Sequence, residues 1–283
     1  MTCNRMPAAL LALAAALPFP APAQEVPDDA PEAAGQDDAE PRRGGWLRHL
    51  LDAVEAVDTP VYRRNALDLK YEWTERPGGA AMGQIMFKPT FAWGQNREFA
   101  LRIEAPVETV YPGVAGEPTV SGFASLTTTF FWAFFSEKGI RQAVGLELQW
   151  NTGTRTAVGQ PWILQPVYGI GFHFVDWLAV TVELNWQKSF GNLGGYLPVN
   201  TLQVKPTVTA ALPAWFFASV QDKTSWSLED HDVGSLLKFT AGRFLTEKKT
   251  VVLAVEYETP LDPVAARDSV MMVGVLLSYY FSW

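Results

Sequence analysis

Val275-Leu276-Leu277-Ser278-Tyr279-Tyr280-Phe281-Ser282-Trp283 closes the chain with an apolar side chain at every second position and an aromatic at the end. Successive side chains of a β-strand point to opposite faces, so Val275, Leu277, Tyr279, Phe281 and Trp283 share one face. Leu276, Ser278, Tyr280 and Ser282 share the other. A strand with one apolar face and an aromatic terminus fits a transmembrane antiparallel β-barrel, in which one face meets lipid and the other the lumen.

Upstream, from Asn65 onward, segments of about ten residues with alternating character are separated by Gly, Pro, Asn and Asp clusters. Twelve are expected: 65–74, 82–93, 98–108, 120–135, 141–151, 161–174, 177–189, 200–212, 215–225, 234–245, 249–259 and 268–283. The uncharged stretch from Pro118 to Ser136 is read as a strand, because Pro118, Ser121, Gly122, Ser125 and Thr127 to Thr129 are poor helix formers whereas strands accept Thr and Phe. An even count returns the C-terminus to the side on which the barrel began. Bacterial barrels have short periplasmic turns and longer outer loops. Connections leaving odd strands are accordingly expected to reach about seven residues or more, and those leaving even strands to be tight. Trp73, Trp93, Trp150, Trp162, Trp177, Trp186, Trp215, Trp226 and Trp283 fall near predicted strand ends, where an amphipathic ring sits at the headgroup level.

The terminal pattern of Val275, Leu277, Tyr279, Phe281 and Trp283 also resembles the sorting signal that outer-membrane barrels present to their assembly machinery. The N-terminus points to the same route. Arg5 precedes an apolar run from Ala8 to Leu17, and Ala21-Pro22-Ala23 follows, so residues 1–23 read as a cleavable secretory signal with Gln24 the first mature residue. Its apolar core is too short for the roughly 20 residues of a membrane-spanning helix. The single cysteine, Cys3, would leave with the signal, which removes disulfides, cysteine-based metal sites and cysteine nucleophiles. Residues 24–45 carry Glu25, Asp28, Asp29, Glu32, Asp37, Asp38 and Glu40 against Arg42 and Arg43, and read as a disordered acidic linker. Residues 46–58 place Trp46, Leu50, Val54 and Val57 near helical spacing. This short amphipathic helix could lie on the periplasmic membrane surface, cap the barrel or enter the lumen.

Taking the more apolar face of each strand as outward assigns Leu67, Leu69, Tyr71 and Trp73 to lipid, with Val144, Leu146, Leu148 and Trp150 and their equivalents elsewhere. The opposite face then lines the lumen with Asp68, Lys70, Glu72, Lys88, Arg102, Glu104, Glu147, Glu183, Lys205, Lys223, Lys238 and Glu256, alongside Gln84, Gln149, Gln187, Gln203 and Gln221. This polar face excludes an apolar filling. Its charges either pair across neighbouring strands and hold the wall or guide a solute; both readings stand at this point. Twelve strands enclose a modest interior.

The residues offer no catalytic machinery. His49, His173 and His231 are the three histidines. The segment Gly171-Phe172-His173-Phe174-Val175 lacks the His-x-Ser-Asn-Gly signature of the twelve-stranded outer-membrane phospholipases, and a nucleophile needs its base within hydrogen-bond reach. Glu229-Asp230-His231-Asp232 does not match a calcium loop. No cofactor or metal is expected, and a formal net charge of -8 argues against a nucleic-acid partner.

Ser121-Gly122-Phe123-Ala124-Ser125-Leu126, then Val144-Gly145-Leu146-Glu147-Leu148-Gln149-Trp150-Asn151-Thr152-Gly153-Thr154, then Gly159-Gln160-Pro161-Trp162-Ile163-Leu164-Gln165-Pro166 occur in that order. This layout resembles the outer-membrane transporter family associated with the meta-cleavage pathway of phenol degradation. Ala124-Ser125 stand where that family tends to have Gly-Asp. The resemblance implies an outer-membrane barrel and a route for a small apolar or aromatic compound. The expectation is a monomeric barrel in the bacterial outer membrane, in contact with lipid and the barrel assembly machinery, passing a small-molecule solute. The competing expectation is a structural or interaction barrel whose lumen is closed by ion pairs or by the helix at 46–58.

Overall fold

The computed structural model describes residues 64–94, 98–114, 116–135, 140–152, 161–191, 197–246 and 248–281. The segments read as signal, linker and helix, together with Ser282 and Trp283, lie outside them. Alternation becomes strand along the described chain: β1 Asn65–Glu75, β2 Ala81–Trp93, β3 Phe99–Tyr111, β4 Val120–Phe123, β5 Leu126–Phe135, β6 Ile140–Trp150 and β7 Trp162–Val175. β8 Leu178–Phe190, β9 Asn200–Ala211, β10 Phe216–Ser227, β11 Val233–Phe244, β12 Val251–Pro260 and β13 Met271–Phe281 follow. β1 pairs with β13 from Asn65↔Phe281 to Glu75↔Met271, and this pairing closes the sheet. β4 and β5 both pair with β3 and form a single stave, so the result is a closed twelve-stranded antiparallel barrel. Closure pairs the backbone of every stave with two neighbours, the condition for a sheet to cross hydrocarbon.

The stave expected as one strand over 120–135 is broken at Ala124-Ser125. Val107 faces Phe123 but Glu104 faces Thr127, so β3 advances three residues while its partner advances four. The extra residue is a β-bulge, and it reverses which parity points inward. Gly122 shares the lumen face with Glu108 above the bulge; Thr127, Thr129 and Phe131 share it below. β6 pairs with β5 and not with β4, and Thr152 bridges the gap. Its Oγ1 accepts from the Leu126 N–H at 2.8 Å and lies 3.5 Å from the Ala124 carbonyl oxygen. Asn151-Thr152, one of the family-like motifs, thus has a structural task at the bulge.

Loop lengths support the strand count less cleanly than expected. The outer connections 112–119, 151–161, 191–199 and 261–270 are long, but 76–80 and 228–232 are five residues, no longer than the periplasmic turn 94–98. The strands run further into these two hairpins than alternation indicated, because Ala81 already pairs with Glu75 and Val233 with Trp226.

Outward faces are apolar and accessible, with Leu69 51% and Ile85 53% exposed, as lipid contact requires. Aromatic rings gather at both rims. Trp73 lies tilted against Tyr111 (5.3 Å between centroids) and Trp150 edge-on to Trp162 (5.2 Å) at the outer rim; Trp93 lies near Phe99 (6.1 Å) and Tyr279 near Phe281 (6.3 Å) at the inner rim. Trp215 departs from the girdle role. It packs against a cluster inside the barrel formed by Phe217, Phe244, Val252, Leu276 and Tyr280 with Ala66, Ala179, Ala211 and Ala254. To place it there, Ala214 (φ 58°) and Trp215 (φ 65°) adopt the left-handed conformation in the turn between β9 and β10. Away from the rims, a carboxylate breaks the lipid-face rule. Asp222 has the outward parity of Val220, and its Oδ2 accepts from Thr224 Oγ1 at 3.1 Å.

That internal cluster corrects the expectation that the lumen excludes an apolar filling. Phe217, Phe244, Val252, Leu276 and Tyr280 have inward parity and are buried at the periplasmic end. Phe217 and Phe244 lie 6.2 Å apart, and Phe217 Cε1 would be 2.6 Å from a Cβ at Gly242. Gly145 makes similar room for Phe131, whose Cδ1 would be 2.6 Å from a Cβ there. Both glycines face the lumen, where a missing side chain lets an aromatic ring lie flat against the neighbouring stave. Near strand ends both faces are apolar, so choosing the more apolar face as outward does not reveal the second.

Candidate functional site

Above this apolar floor the lumen is polar and charged. The antiparallel register places Asp68, Lys70 and Glu72 on the inner face of β1, and Asp68 stands across from Lys88 of β2. β3 contributes Arg102, Glu104 and Glu108, β6 Glu147, β8 Glu183, β9 Lys205, β10 Lys223, β11 Lys238 and β12 Glu256. These charges fall into groups. Glu256, 1% exposed, lies 2.6 Å from Lys70 and 2.8 Å from Lys238, while Lys70 also reaches Glu72 at 2.7 Å. The Glu256 oxygens meet the two ammonium groups outside aligned hydrogen-bond geometry, so the contacts are charge–charge. β13 lies between β12 and β1, and the Glu256 carboxylate crosses it beside Gly274, where a Cβ would be in ordinary contact at 3.4 Å from Oε2.

A second group forms around Arg102, whose Nε is 3.1 Å from Glu104 and whose Nη2 is 3.9 Å from Glu147; Lys88 approaches Glu104 at 4.0 Å. Arg102 also lies over the Phe131 ring, 5.1 Å from its centroid, a cation–π contact at the top of the apolar region. Thr129 Oγ1 donates to Glu147 at 3.0 Å. On β8, Glu183 accepts from Lys205 at 2.9 Å and from Asn185 at 2.7 Å. An amide ladder links three staves: Gln203 donates to Gln187 at 3.4 Å and Gln187 to Gln165 at 2.7 Å. Among the described residues Lys223 has no ion pair and no hydrogen bond.

Two cavities follow the lumen. The inner one, about 260 Å³, is lined by both signs of charge, with Lys88, Arg102, Lys205, Lys223 and Lys238 against Glu104, Glu147 and Glu183. Phe131 and Val167 are its apolar members. The other, about 290 Å³, opens toward the outer loops between Thr201, Ser225, Asp232, Leu236 and the loop at 261–270. Gln187, Gln203 and Lys223 line both. The loop at 261–270 folds onto β11, where a Cβ at Gly234 would sit 3.1 Å from the Ala265 nitrogen. Asp262 holds its turn, accepting from the Val264 and Ala265 N–H groups at 2.9 Å each and from the Ser235 N–H. The Ala265, Ser235 and Val264 N–H groups together hold the Asp262 carboxyl below the usual carboxylate range. Arg267 pairs with Asp232 at the rim.

Reading strand by strand overlooked Glu108, Gln165 and Phe131. Glu108 accepts from Gln84 at 2.6 Å and lay at the end of a predicted strand, while Gln165 sits among apolar neighbours. Phe131 was hidden by the bulge, since unbroken alternation gives it the opposite face.

No protein-family model matches the sequence, and no curated protein does. Solved structures match over the barrel. An outer-membrane channel from Pseudomonas putida superposes with a TM-score of 0.61 at 11% identity, covering 77% of this chain and 96% of that one. The NanC porin gives 0.54 at 13% (77% and 100%) and the KdgM porin 0.54 at 9% (77% and 99%). The chain has a bacterial outer-membrane barrel fold. At such identities the likeness is one of architecture; the apolar belt and the two aromatic rims of this barrel suit it to that membrane.

Proposed function

We propose that this barrel is a passive, monomeric outer-membrane channel for a small hydrophilic solute. One observation supports the reading above the others: a mixed polar and apolar outer cavity leads into a polar, charged inner one, and the two share Gln187, Gln203 and Lys223. Their volumes suit a solute smaller than a typical drug-sized ligand. The family resemblance suggests an apolar or aromatic compound, but a wall in which Phe131 and Val167 are the apolar members of the inner cavity favours a solute that hydrogen-bonds. Charged walls with both signs present select by electrostatics at close quarters.

The competing reading, a structural barrel that transports nothing, draws on the packed cluster of Phe217, Phe244, Val252, Leu276 and Tyr280 at the periplasmic end. Single-channel recording of the purified full-length protein in a planar bilayer separates the two. Resolvable open steps whose size changes when Arg102 or Lys205 is neutralised are expected. A silent bilayer, with no sugar-driven swelling of protein-loaded liposomes, would sink the channel reading.

A further inference from the structure

Lys205, Lys223 and Lys238 stand on three consecutive staves. The register that pairs Gln221 with Thr207 and Thr224 with Val204 puts Lys223 of β10 directly across from Lys205 of β9. On the other side, Lys238 of β11 faces Gln221, one inward position away from Lys223. Directly opposed residues have Cβ atoms about 4.5–5.5 Å apart, and like charges in that relation are destabilising. Two of the three lysines are compensated, Lys205 by Glu183 and Lys238 by Glu256. Lys223 is not: Glu183 and Glu258 act on it through space, and among the described residues none pairs with it.

Its place in the lumen gives this arrangement a use. Lys223 lines both cavities, so a solute passing from the outer to the inner one passes its ammonium group. Gln187 and Gln203 line the same junction, and with one N–H of each used in the amide ladder, each keeps a second N–H donor and lone-pair capacity on its oxygen. An ammonium beside amides recognises an anion that also carries hydroxyls. An anion there would relieve the repulsion between Lys205 and Lys223, a stabilisation that a neutral solute cannot supply. Lysine rings serve anion pores in the same way, by binding strongly enough to admit and weakly enough to release.

We infer that Lys223, with Gln187 and Gln203, forms an anion subsite at the junction of the two cavities, and that it takes a small hydroxylated carboxylate. The inference rests on the channel reading above and names the solute class for it. The probe is gluconate, with sorbitol as its neutral counterpart, applied to the full-length protein. In planar bilayers under a KCl gradient the wild type is expected to favour chloride, and gluconate to reduce the chloride current at millimolar concentration while sorbitol does not. Lys223→Gln is expected to weaken the block at least tenfold and to lower the anion-to-cation permeability ratio severalfold, with Lys223→Arg keeping most of both. Heat-modifiable migration on gels verifies that each variant is folded. Unchanged selectivity and block in a conducting Lys223→Gln barrel overturn the subsite while leaving the channel reading intact. If bilayers are silent, calorimetry with gluconate decides: binding that Lys223→Gln weakens tenfold keeps the subsite and removes the channel, and absence of binding to the wild type overturns the subsite.

Discussion

Glu256→Gln tests how the charged wall is held together. Glu256 is 1% exposed and sits between Lys70 at 2.6 Å and Lys238 at 2.8 Å, so the substitution leaves two ammonium groups facing a neutral amide of the same shape. Removing one partner of a buried ion pair costs about 3–5 kcal/mol, most of it the desolvation of the charge left behind. Two features reduce that here. Lys70 retains Glu72 at 2.7 Å, and the Lys70 and Lys238 side chains are 11% and 12% exposed toward the lumen. A loss of about 2–3 kcal/mol is expected. With a urea dependence of about 2 kcal/mol per molar, the unfolding midpoint should fall by about 1–1.5 M. Urea titration of the protein in lipid vesicles, followed by tryptophan fluorescence, reads it. The double variant Lys238→Met with Glu256→Gln should recover part of the loss, because the stranded charge is removed with its partner. A midpoint for Glu256→Gln within experimental error of the wild type would refute the argument that this triad bears on stability, as would a double variant that is simply additive.

Gly242→Ala should destabilise the barrel by about 1–3 kcal/mol, since the new methyl meets Phe217 and Ala254, and Phe217→Leu should restore most of it in the same urea titration. Ala214→Gly should stabilise by about 0.5–1 kcal/mol, because glycine takes the φ of 58° without the left-handed cost; no change in midpoint would mean that the turn carries no strain. Asp262 has its pKa depressed in the fold by the Ala265, Ser235 and Val264 N–H groups, so its contribution is present above the unfolded value and fades as pH falls through the lower folded one. Acid well below about pH 4 should therefore loosen the loop at 261–270 and speed its hydrogen exchange, and Asp262→Asn should show much of that loosening already at neutral pH.

Most of the fold was legible because its cause is local. A residue's face in a strand depends only on parity, and the lipid sets a single requirement for one face, so Leu67, Leu69, Val144, Leu146, Val255 and Tyr257 could be placed without knowing their neighbours. The same parity put Lys70, Arg102, Glu183, Lys205 and Glu256 inside. It failed at Phe131 because one extra residue at Ala124-Ser125 inverts the alternation, and a bulge has no signature in the pattern of apolar positions. It failed at the periplasmic end because Phe217, Phe244 and Leu276 are apolar on a face where alternation expects polarity, and only packing shows that they meet one another.

The closing stretch shows the division. Its alternation puts Val275, Leu277, Tyr279 and Phe281 on one apolar face, and its likeness to a sorting signal points that face to lipid. That Glu256 reaches Lys70 across β13, and that Leu276 and Tyr280 help to form an apolar floor beneath the polar lumen, follows from barrel closure. Closure joins residues about two hundred positions apart in the chain, and a contact of that kind depends on register and packing; a local sequence pattern records neither.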